Sequence, residues 1–142
     1  MAAEIFTDDW ARAWCEQINA NEEYAKAAKR WEGAIVLLMA ADEDYGIPEQ
    51  RAVIADLWHG ECRGGKVAGE SDLEEAPYII GADPAIWSKI LSGDLDPIVG
   101  LVGGKLKLER GKLFKLLPYA KAAKEMVESA KAVDTSFPPE WK

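Results

Sequence analysis

The densest group of chemically capable residues in this 142-residue chain is one short run. Asp56-Leu57-Trp58-His59-Gly60-Glu61-Cys62-Arg63 holds the single histidine, one of the two cysteines, two carboxylates and an arginine. Three chemistries suit such a set. His59-Gly60-Glu61 matches the His-x-Glu of zinc deaminases, but no Pro-Cys-x-x-Cys follows, so the ligand set of that class is incomplete. A zinc site on His59, Glu61 and Cys62 needs a fourth ligand, and Cys15 would have to arrive from a distant helix. A Cys62–His59 nucleophile pair would sit on one tight turn, where both side chains can hardly orient on a substrate. The plainest reading is that His59 and Arg63 hydrogen-bond acids at a hairpin. Contact with a ligand head group comes next, and metal or catalysis last.

The elements that would position this run follow from periodicity and punctuation. Residues 51–58 alternate as a strand, with Val53, Ala55 and Leu57 on one side and Ile54, Asp56 and Trp58 on the other. The tight connection at 59–61 returns residues 62–67 as its hairpin partner. Ahead of them, residues 33–40 are apolar on both faces and read as a central covered strand. Thr7 caps a first helix with Asp8 and Asp9 in its first turn; Trp10, Trp14 and Ile18 then recur at helical spacing, a stripe expected to be core. Asn19-Ala20-Asn21 breaks that helix, and residues 22–30 form a short helical linker. Residues 41–50 read as a loop, 68–75 as a polar acidic turn and 77–82 as a fourth strand.

The clearest punctuation lies between 82 and 117. Asp83-Pro84 starts a helix carrying Trp87, Ile90 and Leu91 and closed by Gly93. Asp96-Pro97 starts a second with Ile98, Leu101 and Val102, ending at Gly103-Gly104. Residues 105–108 alternate as an edge strand, and Gly111 opens a third helical run with Leu113, Phe114, Leu116 and Leu117. A last helix from Pro118 presents Tyr119, Ala122, Ala123, Met126, Val127 and Ala130 on one face. Lys121–Glu125 and Lys124–Glu128 are spaced as i,i+4 pairs outside. Hairpin-linked strands early and helices late predict an α+β fold, with helices on one face of a five-stranded sheet. A right-handed helical crossover should join one strand pair. A single domain is expected over 1–132, with an extended tail over 133–142.

Composition narrows the function. Hydrophobic residues make up 49% of the chain, with six tryptophans, and the net charge is −8. That charge argues against nucleic acid and against more than transient contact with anionic membrane. It is unevenly spread: residues 103–124 carry seven basic groups against Glu109 alone, a net of +6, leaving −14 for the remainder. This basic segment is either a solvated face paired with the acidic remainder or a head-group site. No apolar run approaches the roughly 20 residues of a membrane span. No signal peptide is expected, and Cys15 and Cys62 read as reduced thiols of a cytoplasmic protein.

The run from Tyr78 through Leu117, with Gly93, Asp96-Pro97 and Gly104-Lys105-Leu106 in that order, resembles the sterol carrier protein 2 family. The early helix with Trp10 and Trp14 and the hairpin at Asp56-Leu57-Trp58-His59-Gly60 resemble its bacterial branch, so the likeness runs from about Phe6 to Ala130. It implies a mixed, mainly antiparallel sheet with helices enclosing an apolar tunnel. It also implies a non-enzymatic carrier, without cofactor or metal, of a fatty acid, fatty acyl-CoA, sterol or phospholipid. Fatty acid or acyl-CoA is favoured for a bacterial chain. The chain ends Glu140-Trp141-Lys142 rather than in a Ser-Lys-Leu type signal, so peroxisomal targeting is not expected.

The expected lining is Trp87, Ile90, Leu91, Ile98, Leu101, Val102, Leu106, Leu108, Leu116, Tyr119, Met126 and Val127, each of which could also be plain core. Lys105, Lys107, His59 and Arg63 are the head-group candidates. Two rivals stay open: an interaction or dimerisation module whose apolar stripes close on themselves, and a chemical site on the 56–63 hairpin. The sequence assigns no oligomeric state.

Overall fold

The computed structural model describes residues 2–141. Its centre is a five-stranded sheet in the order β4-β3-β2-β5-β6, built from β2 (Ile35–Met39), β3 (Arg51–Trp58), β4 (Glu61–Val67), β5 (Tyr78–Ala82) and β6 (Lys107–Arg110). Within this sheet only β2 and β5 run parallel, in register Ile35↔Tyr78 to Met39↔Ala82; its other pairs are antiparallel. The expected α+β class and mainly antiparallel sheet are observed. Within β3 the alternation sorts as expected: Val53, Ala55 and Leu57 are fully buried towards the helices. The β3–β4 turn is two residues, His59 at φ 49° and Gly60 at φ 87°. Both positive values suit the strand twist of a tight hairpin, and a side chain at Gly60 would strike the backbone of Ala25.

Helices cover the sheet's inner face. Thr7 caps α1 (Asp8–Asn19), its Oγ1 accepting from the Trp10 amide at 3.3 Å. Asn21 caps α2 (Glu22–Ala27), and its Nδ2 also donates to Ser129 Oγ at 3.0 Å, tying that cap to the last helix. Asp83 and Asp96 cap α4 (Pro84–Ser92) and α5 (Pro97–Val102), with Pro first in each helix and Gly93 left-handed after α4. The short α6 (Leu113–Leu116) runs through a 3-10 turn (Leu117–Tyr119) into α7 (Ala120–Lys131).

Several expectations are corrected. Residues 68–75 are not a bare turn: α3 (Glu70–Glu75) lies on the outer sheet face, where Leu73 packs with Val36, Ala52, Ala76 and Ile79. Helices therefore occupy both faces. The Asp72 carboxyl that fastens α3 accepts from Lys66 and the Gly69 amide, each at 2.8 Å, and both bonds hold its pKa low. The edge strand begins at Lys107 rather than 105, because Leu106 turns inward against Gly100 and donates its amide to the Gly100 carbonyl at 3.0 Å. The helical insertion α4–α5 joins the antiparallel neighbours β5 and β6, while the parallel pair is connected through β3, β4 and α3. Of the i,i+4 pairs expected on α7 neither forms: Lys121 reaches Glu23 at 3.1 Å, and Glu128 pairs with Lys131 at 3.2 Å.

The largest correction concerns the cysteines. α1 lies across β4, where Gly65 leaves room for the Ala11 carbonyl, and this approach brings the Cys15 and Cys62 Cα atoms to 5.5 Å. The two sulfurs are bonded as a disulfide. They are not reduced thiols, and cysteine usage no longer argues for a reducing compartment. Residues near the termini also meet: β1 (Ala3–Glu4) pairs in parallel with β7 (Thr135–Ser136). Among the described residues no helix is long and apolar enough to cross a membrane.

Candidate functional site: an apolar cavity between sheet and helices

Between the inner sheet face and the helices lies an apolar cavity of about 100 Å³. Its floor is Ile35, Leu37, Leu57 and Ile80 from β2, β3 and β5. Trp10 and Trp14 of α1, Tyr24 of α2 and Trp31 form one side. Trp87, Ile90 and Leu91 of α4, Pro97, Ile98 and Leu101 of α5, then Leu106 and Leu116 form the other. Tyr119 and α7, through Ala122, Ala123, Met126, Val127 and Ala130, line the remainder.

The helical capping described above explains why these side chains converge. Each cap fixes where a helix begins, and 3.6-residue periodicity then aims one stripe at the sheet. Aromatic packing knits the α1 side to α4: Phe6 sits 5.1 Å from Trp10 and 5.4 Å from Trp87, and Trp10 stacks on Trp14 at 5.4 Å, all between ring centroids. Phe6 is held at φ 57°, a left-handed conformation unfavourable for a bulky residue, and its complete burial offsets the strain.

The indole N–H groups of this wall are all satisfied. Trp10 donates to Thr135 Oγ1 at 2.9 Å, Trp14 to the Met126 carbonyl at 3.0 Å, Trp31 to the Gly33 carbonyl at 2.7 Å and Trp87 to the Leu38 carbonyl at 3.0 Å. With their polar edges so engaged, the tryptophans contribute apolar ring surface. Tyr24 and Tyr119 are the lining side chains that carry a hydroxyl, and burial pushes the Tyr24 phenol up to about 12. Such a surface is suited to apolar matter, and its lining side chains include no Ser, Cys, His, Lys or carboxylate.

Ten of the twelve expected lining residues come together here: Trp87, Ile90, Leu91, Ile98, Leu101, Leu106, Leu116, Tyr119, Met126 and Val127. Two do not. Val102 points outward and is 63% exposed, because α5 ends there and its inward stripe is Ile98 and Leu101. Leu108 packs against the core from β6 but stands outside the lining. Sequence reasoning left out the whole opposite side. Trp10 and Trp14 were expected to be core, and they are buried, yet they also form cavity wall. The spacing that marks a core stripe is the same that marks a cavity wall.

The head-group candidates lie off the wall. Lys105 and Lys107 are exposed, and neither forms an ion pair among the described residues. His59 Nε2 meets Glu32 Oε2 at 2.6 Å and its ring stacks on Trp58; Arg63 bonds Asp56 at 3.0 Å, and its guanidinium lies over the Trp58 ring, 4.9 Å from the centroid. His59 and Arg63 thus bond acids at the hairpin. The chemical readings of this hairpin lose their sulfur, since Cys62 is bonded to Cys15 and is neither a thiolate ligand nor a nucleophile.

No protein-family model matches the chain, and no curated protein matches it. Solved structures do. A crystal structure of sterol carrier protein 2 is 45% identical, with TM-score 0.83, over 92% of this chain and 99% of that one. The solution structure of a conserved hypothetical protein of Thermus thermophilus is 43% identical, with TM-score 0.84, over 96% and 94%. Palmitated SCP2L2 from Aedes aegypti, at 14% identity and TM-score 0.51 over 79% and 92%, shares the fold alone. Identity of this order across nearly the full length, with TM-scores above 0.8, places the chain in a family: it belongs to the sterol carrier protein 2 family.

Proposed function

We propose that this protein is a non-catalytic lipid carrier that holds a fatty acid, fatty acyl-CoA or sterol in the cavity between sheet and helices. The observation that carries the reading is the cavity itself, lined by rings and aliphatic side chains with its indole N–H groups engaged. Each methylene moved from water into such a site contributes about 0.8 kcal/mol, so an acyl chain of about sixteen carbons brings on the order of 10 kcal/mol before association costs. No reacting group is needed. An acyl chain is the favoured cargo, since its methylenes supply that free energy without any polar partner in the wall.

A cavity of about 100 Å³ is smaller than the roughly 300–1,000 Å³ of ligand pockets, so loading requires walls to separate. Native mass spectrometry of freshly purified protein, followed by organic extraction, tests the reading directly. Extra mass that extracts as lipid is expected. A bare protein that takes up neither fatty acid, acyl-CoA nor sterol on titration would mean that the side chains fill the space themselves. Lys105 and Lys107 are the groups proposed to meet the phosphates of an acyl-CoA. Lys105→Glu with Lys107→Glu should weaken acyl-CoA far more than an uncharged lipid; equal loss of both returns these lysines to a solvated face.

A further inference from the structure

Of the two lining side chains that end in a hydroxyl, Tyr24 is the fully buried one: it is 1% exposed, whereas Tyr119 is half-buried. Its place is fixed from two sides. Asn21 accepts from the Tyr24 amide at 3.0 Å and donates to Ser129 Oγ at 3.0 Å, which ties the first turn of α2 to α7. From the other side the β3–β4 turn packs so closely that a Cβ on Gly60 would stand 2.7 Å from the Ala25 carbonyl oxygen. The backbone that carries the Tyr24 ring is thus clamped where the ring meets the cavity.

The hydroxyl itself bonds to nothing among the described residues, and desolvation raises its pKa to about 12. The four indoles of the same wall differ, since each has an acceptor in the protein. Buried polar groups in folded proteins are bonded, because a group that gives up water and finds no partner destabilises the fold. Here one donor is left open in a site otherwise closed to polar contact. With its pKa so high, the phenol keeps its proton, and remains a donor, throughout the neutral range.

We infer that the Tyr24 hydroxyl is the polar anchor of the cavity, donating a hydrogen bond to an uncharged oxygen of the cargo, the hydroxyl of a sterol or fatty alcohol or the carbonyl of an ester. An ionised carboxylate does not suit the position. No Lys, Arg or His lines the cavity, and a single phenol does not replace the hydration of a full charge. An uncharged oxygen gives up far less on leaving water, and one donor satisfies it. The inference rests on the carrier reading and deepens it: the apolar wall supplies affinity, and Tyr24 selects among heads. A fatty acid is then held with its carboxylate outside the wall.

Titration of the full-length protein and of Tyr24→Phe, read by tryptophan fluorescence at about pH 8, where a carboxylate is ionised, tests this. Hexadecanol, cholesterol and methyl hexadecanoate supply the uncharged oxygen, hexadecane lacks it and hexadecanoate carries the charge. Tyr24→Phe should weaken at least one of the first three by about fivefold, the worth of one neutral hydrogen bond, and the one that responds names the kind of head. Hexadecane and hexadecanoate should bind both proteins alike. Unchanged affinity for all three uncharged heads would overturn the inference and leave the hydroxyl to an ordered water. So would an equal loss for hexadecanoate, which would make the anchor one for a charged head, or for hexadecane, which would reduce Tyr24 to its shape. Phe removes only an unpaired polar atom, so the Tm at that pH should hold or rise; a fall of several degrees would show the hydroxyl bonded within the protein and also overturn the inference. Failure of the carrier reading looks different: wild type would bind none of the five lipids, and the anchor would fall with it.

Discussion

The α1 side of the cavity and the α5–α6 side enclose the same space with opposite mechanics. α1 has twelve residues, a side-chain cap and a disulfide to β4. Asn19 and Cys62 also exchange two hydrogen bonds of 2.8 Å across the same junction, and the Trp10 and Trp14 indoles are bonded to groups far along the chain. α5 and α6 have six and four residues, α6 has no side-chain cap, and Gly104 at φ 80° breaks the link between them. Helices this short have no stability of their own and stand on the packing of Ile98, Leu101 and Leu116. A fixed wall faces a compliant one. If lipid enters, the α5–α6 side is where local opening costs least.

The contrast breaks most visibly at Trp14. Trp14→Ala removes a buried ring and its bond to Met126, so a loss of about 3–5 kcal/mol is expected, read as a fall in Tm of roughly ten degrees or more. A loss under about 1 kcal/mol would mean that α1 is not the fixed side. The disulfide comes next. It closes a separation of 47 residues, for which chain entropy sets an upper value of about 4 kcal/mol. Reduction and Cys15→Ser should lower the denaturation midpoint alike, and indifference to reductant would show the sulfurs unbonded.

On the compliant side, Leu101→Trp should fill the cavity while the fold survives. Fatty-acid affinity should then fall at least tenfold, about 1.4 kcal/mol, as measured by titration calorimetry. Unchanged affinity would remove Leu101 from the site. Amide hydrogen exchange sharpens the same comparison: residues 97–116 should exchange far faster than residues 8–19, and a saturating fatty acid should slow the first set selectively. Uniform protection would abolish the distinction between the walls.

The last effect is alkaline. Burial raises the Tyr24 phenol from 10.0 to about 12, so the folded state keeps its proton where the unfolded chain has lost it. The stability that this proton supports is complete below pH 10 and is lost between about pH 10 and 12. Tyr24→Phe should flatten denaturant stability across that window; an unaltered slope would place the phenol in water.

Much of the fold was legible because its signals are local. Thr7, Asp83-Pro84 and Asp96-Pro97 each act on amides two or three residues away, and the alternation in 51–58 needs only the pleat of one strand. One side of the cavity was legible for the same reason, since α4, α5 and α7 each carry an apolar stripe. The other side was not. Trp10 and Trp14 at i, i+4 satisfy core packing and cavity lining equally, and no local feature separates the two. Val102 shows the converse error: it continues an apolar stripe in sequence, but its helix stops and leaves it facing outward.

By itself, then, the sequence determined the order and type of most of the elements, the tight β3–β4 connection and the acidic body with a basic segment, all set by neighbours within a few positions. Tertiary structure decided the rest. It bonded Cys15 to Cys62, laid α3 on the outer sheet face, drew Leu106 onto Gly100 and sent Lys121 to Glu23 rather than Glu125. Each of these depends on where two distant or separately folded segments come to rest. That position is set by the summed burial of many side chains, which no short window of sequence contains.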